Sequence, residues 1–390
     1  MLSGELPVYP RLPFRPVRGE GCLLFDADGR RVIDLYGGHA VALTGHRHPR
    51  VVAALRAQLD ELLFYSNAVE LPARERLVER LVPLAPPGVR GVFLVNSGAE
   101  ANEQALALAR RATGRSAIVA CEGAFHGRTL ATLAVSGLPR YRALAETSDA
   151  GRQLAGRTRL VPWNDADALE RAVDDDVAAV IVEPVQGLAG ARAASAEFLR
   201  RARAACDAAG AVLILDEVQS GCGRTGAFTT AQALGVTPDA ITLAKGIAAG
   251  LPLGALLVGE RLAEGLGPGD LGTTFGGGPL PCAAAAANLD VLVDEDLPAR
   301  ARALEAFVRR EAARRPGIRR VQGLGLLLGL VLERPAKAVQ AALLERGFLA
   351  GTSADPAVLR LLPPLTVGEE HLAAFFAALD AVLAAGGDTR

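Results

Sequence analysis

Lys245 is the residue of this chain best suited to covalent chemistry. The 390 residues include 42 basic side chains, but only Lys245 and Lys337 are lysines. Lys245 follows an apolar run over residues 241–244. A desolvated amine can lose its proton and attack a carbonyl carbon, whereas a guanidinium stays charged. Lys245 is therefore a candidate Schiff-base lysine, and the alternative is a stray lysine at a strand end in an arginine-rich chain.

An acidic pair at the end of another apolar run supplies a second chemical group. Residues 211–215 lead directly into Asp216 and Glu217. A carboxylate at the end of a buried strand is costly unless it is paired with a cation or hydrogen-bond donors. Beside a Schiff-base lysine, the matching cation is the protonated pyridine nitrogen of pyridoxal phosphate, whose charge makes the ring an electron sink. The alternative is a solvated acidic cap or a helix N-cap.

A strand-to-helix turn offers a place for the phosphate group. The segment 96–101, Asn-Ser-Gly-Ala-Glu-Ala, follows a predicted strand over residues 92–95. Ser97 and Gly98 would present a hydroxyl and accessible backbone N–H groups, and the helix dipole adds about 0.3–1 kcal/mol for an anion. A capping box between Ser97 and Glu100 explains the same residues without a ligand.

The segment 123–129 follows a further predicted strand and contains two more candidates. Phe125 can stack on a planar ring, and Arg128 can bind a carboxylate through two parallel hydrogen bonds. Phe125 is also an ordinary core residue type, so this segment alone decides nothing. Its weight comes from lying at a strand end, as Asp216 and Lys245 do.

Residues 221–226 match the G-x-G-x-x-G pattern of dinucleotide sites, and Asp239 follows as a candidate ribose ligand. However, five residues separate the predicted strand from the first glycine, which therefore does not lie in the immediate turn. Asp216 and Glu217 would also stand where a pyrophosphate should bind. We therefore favour a pyridoxal-phosphate enzyme over the alternative from another class, an NAD-dependent oxidoreductase.

Composition excludes several other functions. The formal net charge is −1, and acidic and basic residues are interspersed, so neither nucleic acid nor an acidic membrane surface is an expected partner. Five cysteines without C-x-x-C spacing predict reduced thiols and a cytoplasmic protein. The first 21 residues are interrupted by prolines and charges, and no run reaches about 18 apolar residues. His46 and His48 lie in a turn that favours loop hydrogen bonds, and no metal site is predicted.

Short β-rich runs alternate with longer segments of helical periodicity, which predicts an α/β fold with a mainly parallel sheet covered by helices. Ligands of such sheets bind beyond the carboxyl ends of the strands. We predict a large domain over residues 41–279 and a smaller α+β domain formed by residues 1–40 and 280–390. Strands are expected at residues 92–95, 117–120, 177–182, 211–215, 240–243 and 254–258, with one short strand near 324–332.

Seven segments together resemble the class III (subgroup II) pyridoxal-phosphate aminotransferases, and most closely the acetylornithine aminotransferase branch with its lysine-biosynthesis relatives. The resemblance runs in order from about residue 23 to 380. It rests on NSGAEAN (96–102), GAFHGRT (123–129), VEPVQG (182–187), LDEVQSGCGRTG (215–226), TLAKGIAAGLPLGA (242–255), TTFGGGPLPCAAA (273–285) and LRLLPPL (359–365).

This resemblance implies a fold-type I homodimer with pyridoxal phosphate at the subunit interface. It also implies transfer of the terminal amino group of an N2-acetylornithine-like acylated diamino acid to 2-oxoglutarate, in arginine or lysine biosynthesis. The alternative substrates within the class are carrier-bound lysine or ornithine, succinylornithine and 4-aminobutyrate.

The resemblance assigns the cofactor ring to five residues. Lys245 would bind the cofactor covalently and act as the general base, and Asp216 would face the pyridine nitrogen. Gln219 would approach the ring hydroxyl, while Val218 and Phe125 would pack on the two faces of the ring.

The phosphate group is assigned to the turn and to the second subunit. Gly98 and Ala99 would donate backbone N–H groups, with Ser97 nearby. Thr274 would reach the phosphate from the partner subunit, and that role requires a dimer.

The resemblance assigns the substrate to Arg128 and Arg360, as carboxylate-binding arginines, and to Thr273 beside them. His39 stands where relatives often carry an aromatic or aliphatic residue that lines the substrate pocket, although it can equally be a loop residue. Leu188 replaces a glutamate that in relatives pairs with the arginine matching Arg360. Either Arg360 stays available for carboxylates, or another acid replaces that partner.

Overall fold

The computed structural model of the chain describes residue 4 and residues 6–385. The strands are β1 Pro16–Glu20, β2 Leu23–Asp26, β3 Arg31–Asp34, β4 Val89–Val95, β5 Ala117–Cys121, β6 Thr158–Val161, β7 Val177–Val182, β8 Val185–Gln186, β9 Arg192–Ala193, β10 Val212–Asp216, β11 Ala240–Leu243, β12 Gly254–Gly259, β13 Ile318–Leu324, β14 Leu327–Leu332, β15 Phe348–Leu349, β16 Gly351–Thr352 and β17 Val358–Leu361. The helices are α1 Gly37–Ala40, α2 Pro49–Glu61, α3 Pro72–Leu84, α4 Gly98–Thr113, α5 Leu130–Ala134, α6 Pro139–Ala145, α7 Asp149–Gly156, α8 Ala166–Ala172, α9 Ala196–Ala209, α10 Thr230–Leu234, α11 Glu260–Ala263, α12 Pro279–Asp294, α13 Leu297–Ala313, α14 Ala336–Glu345 and α15 Glu369–Ala385.

The central sheet has seven strands in the order β4-β12-β11-β10-β7-β5-β6. Strand β12 runs antiparallel to both of its neighbours, and the other pairings are parallel. The side chains of β7 and β10 are buried along their whole length, as expected of parallel strands covered on both faces. The predicted α/β fold with a mainly parallel sheet is confirmed.

Helix α4 begins where the capping box predicts. The Ser97 hydroxyl accepts the backbone N–H of Glu100, and the Glu100 carboxylate accepts the backbone N–H of Ser97. The helix buries a face that includes Ala105 and Leu106, and it ends at Gly114 in the left-handed conformation. Capping fixes the start of the helix at the carboxyl end of β4, beside the candidate site.

Two smaller four-stranded sheets accompany the central one, in the orders β13-β14-β17-β16 and β1-β2-β3-β15. The parallel pairing of β3 with β15 joins the first strands of the chain to its C-terminal part. Strand β14 confirms the short strand predicted near residues 324–332, and it pairs with β13, which was not predicted, in an antiparallel hairpin. The polar, half-exposed residues of β13 hid its strand character in the sequence.

Helix α12 packs on α2 and α3, which belong to the residues predicted for the large domain. The proposed boundary between residues 279 and 280 thus falls at the start of a helix that contacts the large domain. It stays a prediction, as does the remaining division of the chain. Residues 1–3, 5 and 386–390 of the predicted small domain lie outside the described residues.

Three further features of residues 4 and 6–385 bear on function. No helix in this part of the chain is long and apolar enough to cross a membrane. No group of three or more His, Cys, Asp or Glu side chains in it has the arrangement of a metal site. All five cysteines are buried free thiols.

Candidate active site

A cavity of about 650 Å³ opens at the carboxyl ends of the central strands. Asp216 ends β10, Lys245 follows β11, Ser97 follows β4, and Phe125 follows β5. Because these strands are parallel, their carboxyl ends meet at one edge of the sheet. The predicted site residues that line the cavity are His39, Ser97, Gly98, Ala99, Phe125, Arg128, Asp216, Val218, Gln219 and Lys245.

Lys245 starts a short 3₁₀ turn, separated from the end of β11 by Ala244, and has φ of +47°. This conformation is unfavourable for a residue with a Cβ, and strain of this kind is concentrated at functional sites. Burial lowers the pKa of the Lys245 amine, and the charge of Arg360 lowers it further, although Asp216 and Glu183 act in the opposite direction. The amine is therefore easier to deprotonate than an ordinary lysine, as a nucleophile or general base must be.

Asp216 is held by three hydrogen-bond donors. Its Oδ2 accepts the Asn102 Nδ2 at 2.7 Å and the His126 Nδ1 at 2.8 Å, while its Oδ1 accepts the Val218 backbone N–H at 3.1 Å. Asn102 is fixed in turn, because its Oδ1 accepts the Thr242 hydroxyl at 2.7 Å. The carboxylate is 4% exposed, so these bonds orient a nearly dry negative charge toward the cavity.

Glu183 is a second buried carboxyl group on the cavity wall. Its Oε1 accepts the Phe125 backbone N–H at 2.7 Å and so holds the segment that carries the Phe125 ring. Burial, together with the negative charge of Asp216, raises the pKa of Glu183 to about 7, against opposing contributions from His126 and Lys245. The wall of the cavity thus contains a carboxyl group that can exchange a proton near neutral pH.

Another part of the cavity wall is aromatic and cationic. The Phe125 and Tyr141 rings meet edge to face, with centroids 4.7 Å apart. The Arg128 guanidinium lies 5.5 Å from the centre of the Tyr141 ring. Hydrogen bonding to the hydroxyls of Tyr141 and Tyr9 raises the pKa of Arg128, so this side chain is a permanent cation at the cavity wall.

Arg360 does not line the cavity, and it is only 1% exposed. Its Nε donates to the Thr352 carbonyl at 2.7 Å, its Nη1 to the Gly187 carbonyl at 3.0 Å, and its Nη2 to the Tyr36 hydroxyl at 3.0 Å. No carboxylate of the described residues forms an ion pair with it. Leu188, the residue that replaces the glutamate of relatives, lines the cavity instead.

Thr273 and Thr274 also lie outside the cavity. The Thr273 hydroxyl accepts the Asn96 Nδ2 at 3.3 Å and the Gly276 backbone N–H at 3.1 Å. Thr274 is exposed, and the following residue, Phe275, is 64% exposed and contacts only the Phe64 ring among aromatic side chains of the described chain.

The family profile "Aminotransferase class-III" matches residues 8–383 of this chain. The chain belongs to the class III aminotransferases. It is 46% identical over 378 residues to the acetylornithine aminotransferase of Mycolicibacterium smegmatis, covering 96% of this chain and 95% of that protein.

Two solved structures place the aminotransferase among the same relatives. The ornithine aminotransferase of Toxoplasma gondii superposes with a TM-score of 0.89 at 31% identity, covering 99% of this chain and 93% of that one. The N-acetylornithine aminotransferase of Stenotrophomonas maltophilia superposes with a TM-score of 0.82 at 34% identity, covering 97% of both chains. The aminotransferase is thus a pyridoxal-phosphate-dependent transaminase, as the sequence motifs predicted.

The residues of the aminotransferase fit that cofactor. The Gln219 Oε1 is buried without a hydrogen-bond partner, and it can accept the phenolic O–H of the ring. A Cβ on Gly98 would lie 2.6 Å from Val218 Cγ2, which is too close for van der Waals contact. Only glycine therefore fits at the start of α4 next to Val218, the residue that would pack on the cofactor ring. Asp216 offers a carboxylate to the pyridine nitrogen, and Lys245 offers an amine to the aldehyde.

Two findings contradict the alternative of an NAD-dependent oxidoreductase: the chain belongs to the class III aminotransferases, and residues 221–226 are packed inside the protein. Arg224 in this loop is fully buried and donates to the backbone carbonyls of Leu326 and Pro363. The Glu217 carboxylate accepts the backbone N–H groups of Thr230 and Ala231 and so stabilises the N-terminus of α10. The glycine-rich loop is therefore held against the backbone at Leu326 and Pro363.

Sequence reasoning missed three polar residues of the site, Asn102, His126 and Glu183. Each lies inside a motif that carried the family resemblance, but none was assigned a role. Their positions within these motifs were the available signal. His126 in particular is 2% exposed, and its Nε2 is buried without a partner.

Proposed function

We propose that this aminotransferase moves the terminal amino group of an N2-acetylornithine-like acylated diamino acid to 2-oxoglutarate, giving a semialdehyde and glutamate. The observation that carries the proposal is the 46% identity, over 96% of the chain, to a protein named acetylornithine aminotransferase. We further propose a cytoplasmic location and a role in arginine or lysine biosynthesis.

The cavity residues suit such a reaction. Pyridoxal phosphate, when bound, supplies an aldehyde for the amino group and a ring that withdraws electrons. Lys245 would hold that aldehyde covalently and, once displaced by the substrate, move a proton between the substrate carbon and the cofactor. Asp216 would keep the ring nitrogen protonated, with its oxygens held by Asn102 and His126. Arg128 would bind a substrate carboxylate through its fixed positive charge.

We propose that the active form is a homodimer in which each subunit completes the other's site. Exposed apolar side chains at Leu63, Phe64, Tyr65 and Phe275 form a patch beside Thr274 that suits a second copy of the chain. In that dimer, Thr274 would reach the phosphate bound by the partner.

A panel of amino donors tests the substrate. Each amine is mixed with the cofactor-loaded enzyme in the absence of a 2-oxo acid, and the loss of the visible absorption band is timed. We expect acetylornithine to react fastest, ahead of succinylornithine, ornithine and 4-aminobutyrate. Lys245→Ala should abolish the response, whereas Lys337→Ala, which removes the chain's other lysine, should react like the wild type. A fast response to 4-aminobutyrate and none to acetylornithine would overturn the substrate proposal.

Subunit mixing tests the shared site. Thr274→Glu should repel the phosphate in one subunit type, and Lys245→Ala should disable the other. A heterodimer of the two then contains one site with both defects and one site with neither, so mixing should restore activity that neither parent has. If mixed and separate variants are equally inactive although they exchange subunits, Thr274 does not act across an interface.

A further inference from the structure

Asn288 is a fully buried amide in an otherwise apolar part of α12. It follows a run of five alanines, residues 283–287, and precedes Leu289. Burying a side-chain amide is costly unless its polar atoms are hydrogen-bonded, so its partners show what the residue is bound to. The two partners of its nitrogen belong to the turn that carries Lys245.

The orientation of the Asn288 amide follows from the groups around it. Its Nδ2 donates to the Gly246 carbonyl at 2.9 Å and to the Ile247 carbonyl at 3.0 Å. Its Oδ1 accepts the hydroxyl of the buried Thr44 at 2.9 Å. Because backbone carbonyls can only accept, the amide nitrogen must face the turn, and its two hydrogens serve the two carbonyls. The Thr44 hydroxyl holds the other end of the amide.

The turn that receives these bonds is short and strained. It spans Lys245–Ala248, with Lys245 at φ of +47° and the following Ala249 at φ of +50°. The last carbonyls of a helical turn have no partner within it, and a left-handed residue with a Cβ persists only where surrounding contacts enforce it. Asn288 supplies such contacts at the two residues directly after Lys245.

A second segment of the chain packs on the same turn. A Cβ on Gly246 would lie 3.4 Å from Leu43 Cβ, so the backbone of the turn lies close to this buried leucine. The next residue is Thr44, which donates to Asn288. Helix α12 and the segment 43–44 thus both contact the turn, and the hydrogen bond between Thr44 and Asn288 joins them.

We propose that Asn288 is a positioning residue for Lys245. By bonding the two carbonyls that follow Lys245, it holds the lysine backbone in the left-handed conformation that places this side chain at the cavity. Thr44 acts through Asn288, because its hydroxyl orients the amide. The inference rests on the proposed covalent role of Lys245 and adds the pair of buried residues that prepares it. Neither Asn288 nor Thr44 lines the cavity, so neither is a catalytic residue.

Two forms of the cofactor, added to the apoprotein, test the proposal. Pyridoxal phosphate has the aldehyde that bonds to Lys245, whereas pyridoxamine phosphate has an amine in its place and binds without that bond. At saturating pyridoxal phosphate, borohydride added at timed intervals traps the covalent adduct and gives its rate of formation. Fluorescence titration gives the dissociation constant for pyridoxamine phosphate.

We expect Asn288→Leu to slow adduct formation at least about tenfold, because a small displacement of a reacting group costs up to about 100-fold in rate. The dissociation constant for pyridoxamine phosphate should change less than about twofold. Gln58→Leu is the matched control, since it also removes a buried amide that donates to a backbone carbonyl, but outside the cavity. This control should form the adduct at the wild-type rate.

Thr44→Val tests the orienting hydroxyl separately. We expect it to slow adduct formation at least about threefold, again without changing the affinity for pyridoxamine phosphate. The double variant Thr44→Val/Asn288→Leu should be no slower than Asn288→Leu alone, because Thr44 acts only through Asn288.

Two results would overturn the inference. In the first, Asn288→Leu forms the adduct within about twofold of the wild-type rate. In the second, the variant loses adduct formation and pyridoxamine phosphate binding to the same degree, which would show a general loss of structure. If Asn288→Leu does not fold, Thr44→Val decides by the same criteria. Lys245→Ala, measured alongside, separates the two proposals: an undiminished adduct in that variant would refute the role of Lys245, whereas a normal rate in Asn288→Leu refutes only the role of Asn288.

Discussion

Gly98→Ala tests whether the turn at the start of α4 is as closely fitted as the structure shows. A Cβ at this position would lie 2.6 and 2.7 Å from the two Val218 methyl carbons, 0.7 to 0.8 Å inside the 3.4 Å of ordinary contact. Valine has a stiff χ1 angle, so Val218 cannot turn both methyl groups away. The remaining movement takes Val218 into the space where it would pack on the cofactor ring.

Two opposing contributions to the free energy decide whether Gly98→Ala stabilises or destabilises the protein. At an open helical position, glycine-to-alanine substitution stabilises by about 0.4–1 kcal/mol, because it restricts the unfolded chain. Overpacking a fitted contact costs about 1–3 kcal/mol, so the clash should win at Gly98. If the strain falls on cofactor binding, the dissociation constant for pyridoxal phosphate rises roughly 5- to 150-fold.

A double-mutant cycle isolates the contact. Cofactor affinity of the apoprotein, measured by fluorescence titration, should fall in Gly98→Ala and recover in the double variant Gly98→Ala/Val218→Ala, giving a coupling of at least about 1 kcal/mol. Gly156→Ala, where a Cβ would meet nothing within 4 Å, should bind the cofactor like the wild type. Unchanged affinity in Gly98→Ala, or additive effects in the double variant, would refute the steric reasoning.

Three further substitutions probe the polar groups of the site. The pKa of Glu183 rises from 4.5 to about 7 on folding, so the folded state loses stability as the pH rises through that range. The melting temperature of the apoprotein should therefore fall relative to that of Glu183→Gln between pH 5 and 8. A constant difference between the two melting temperatures would contradict this. Thr242→Val removes the hydroxyl that donates to the buried Asn102 Oδ1. Urea denaturation should show that the free energy of unfolding falls by about 1–3 kcal/mol. An unchanged free energy of unfolding would mean that this hydrogen bond is dispensable. Asp216→Asn keeps a hydrogen-bond acceptor for Asn102 but removes the negative charge. Steady-state transamination should therefore slow by roughly 10²-fold or more, while the melting temperature stays nearly unchanged. A near-normal rate would remove Asp216 from the mechanism.

The central fold could be predicted because its strands are short, continuous apolar runs that end at polar motifs. Strands β7 and β11 have the predicted bounds, and β10 differs by one residue at each end. Strand β13 was missed because only some of its side chains are buried, so its composition resembles that of a loop.

The candidate site, like the fold, could be predicted only in part from the sequence. Residues at strand ends, such as Asp216 and Lys245, could be placed together because parallel strands bring their carboxyl ends to one edge. The partners of these residues depend on contacts between distant parts of the chain. Arg360 meets Tyr36 across 324 residues, and His126 meets Asp216 across 90. Sequence spacing contains no signal for such pairs, so the burial of Arg360 was not foreseen.

The central claim is that Lys245 binds the cofactor and releases it to the amino donor. Borohydride reduction of the cofactor-loaded enzyme, followed by mass spectrometry of its peptides, tests this directly because the chain has only one other lysine, Lys337. We predict a reduced pyridoxal-phosphate adduct on Lys245 alone, and its loss when acetylornithine is added before the borohydride. An adduct on Lys337, or no adduct on either lysine, would contradict the account.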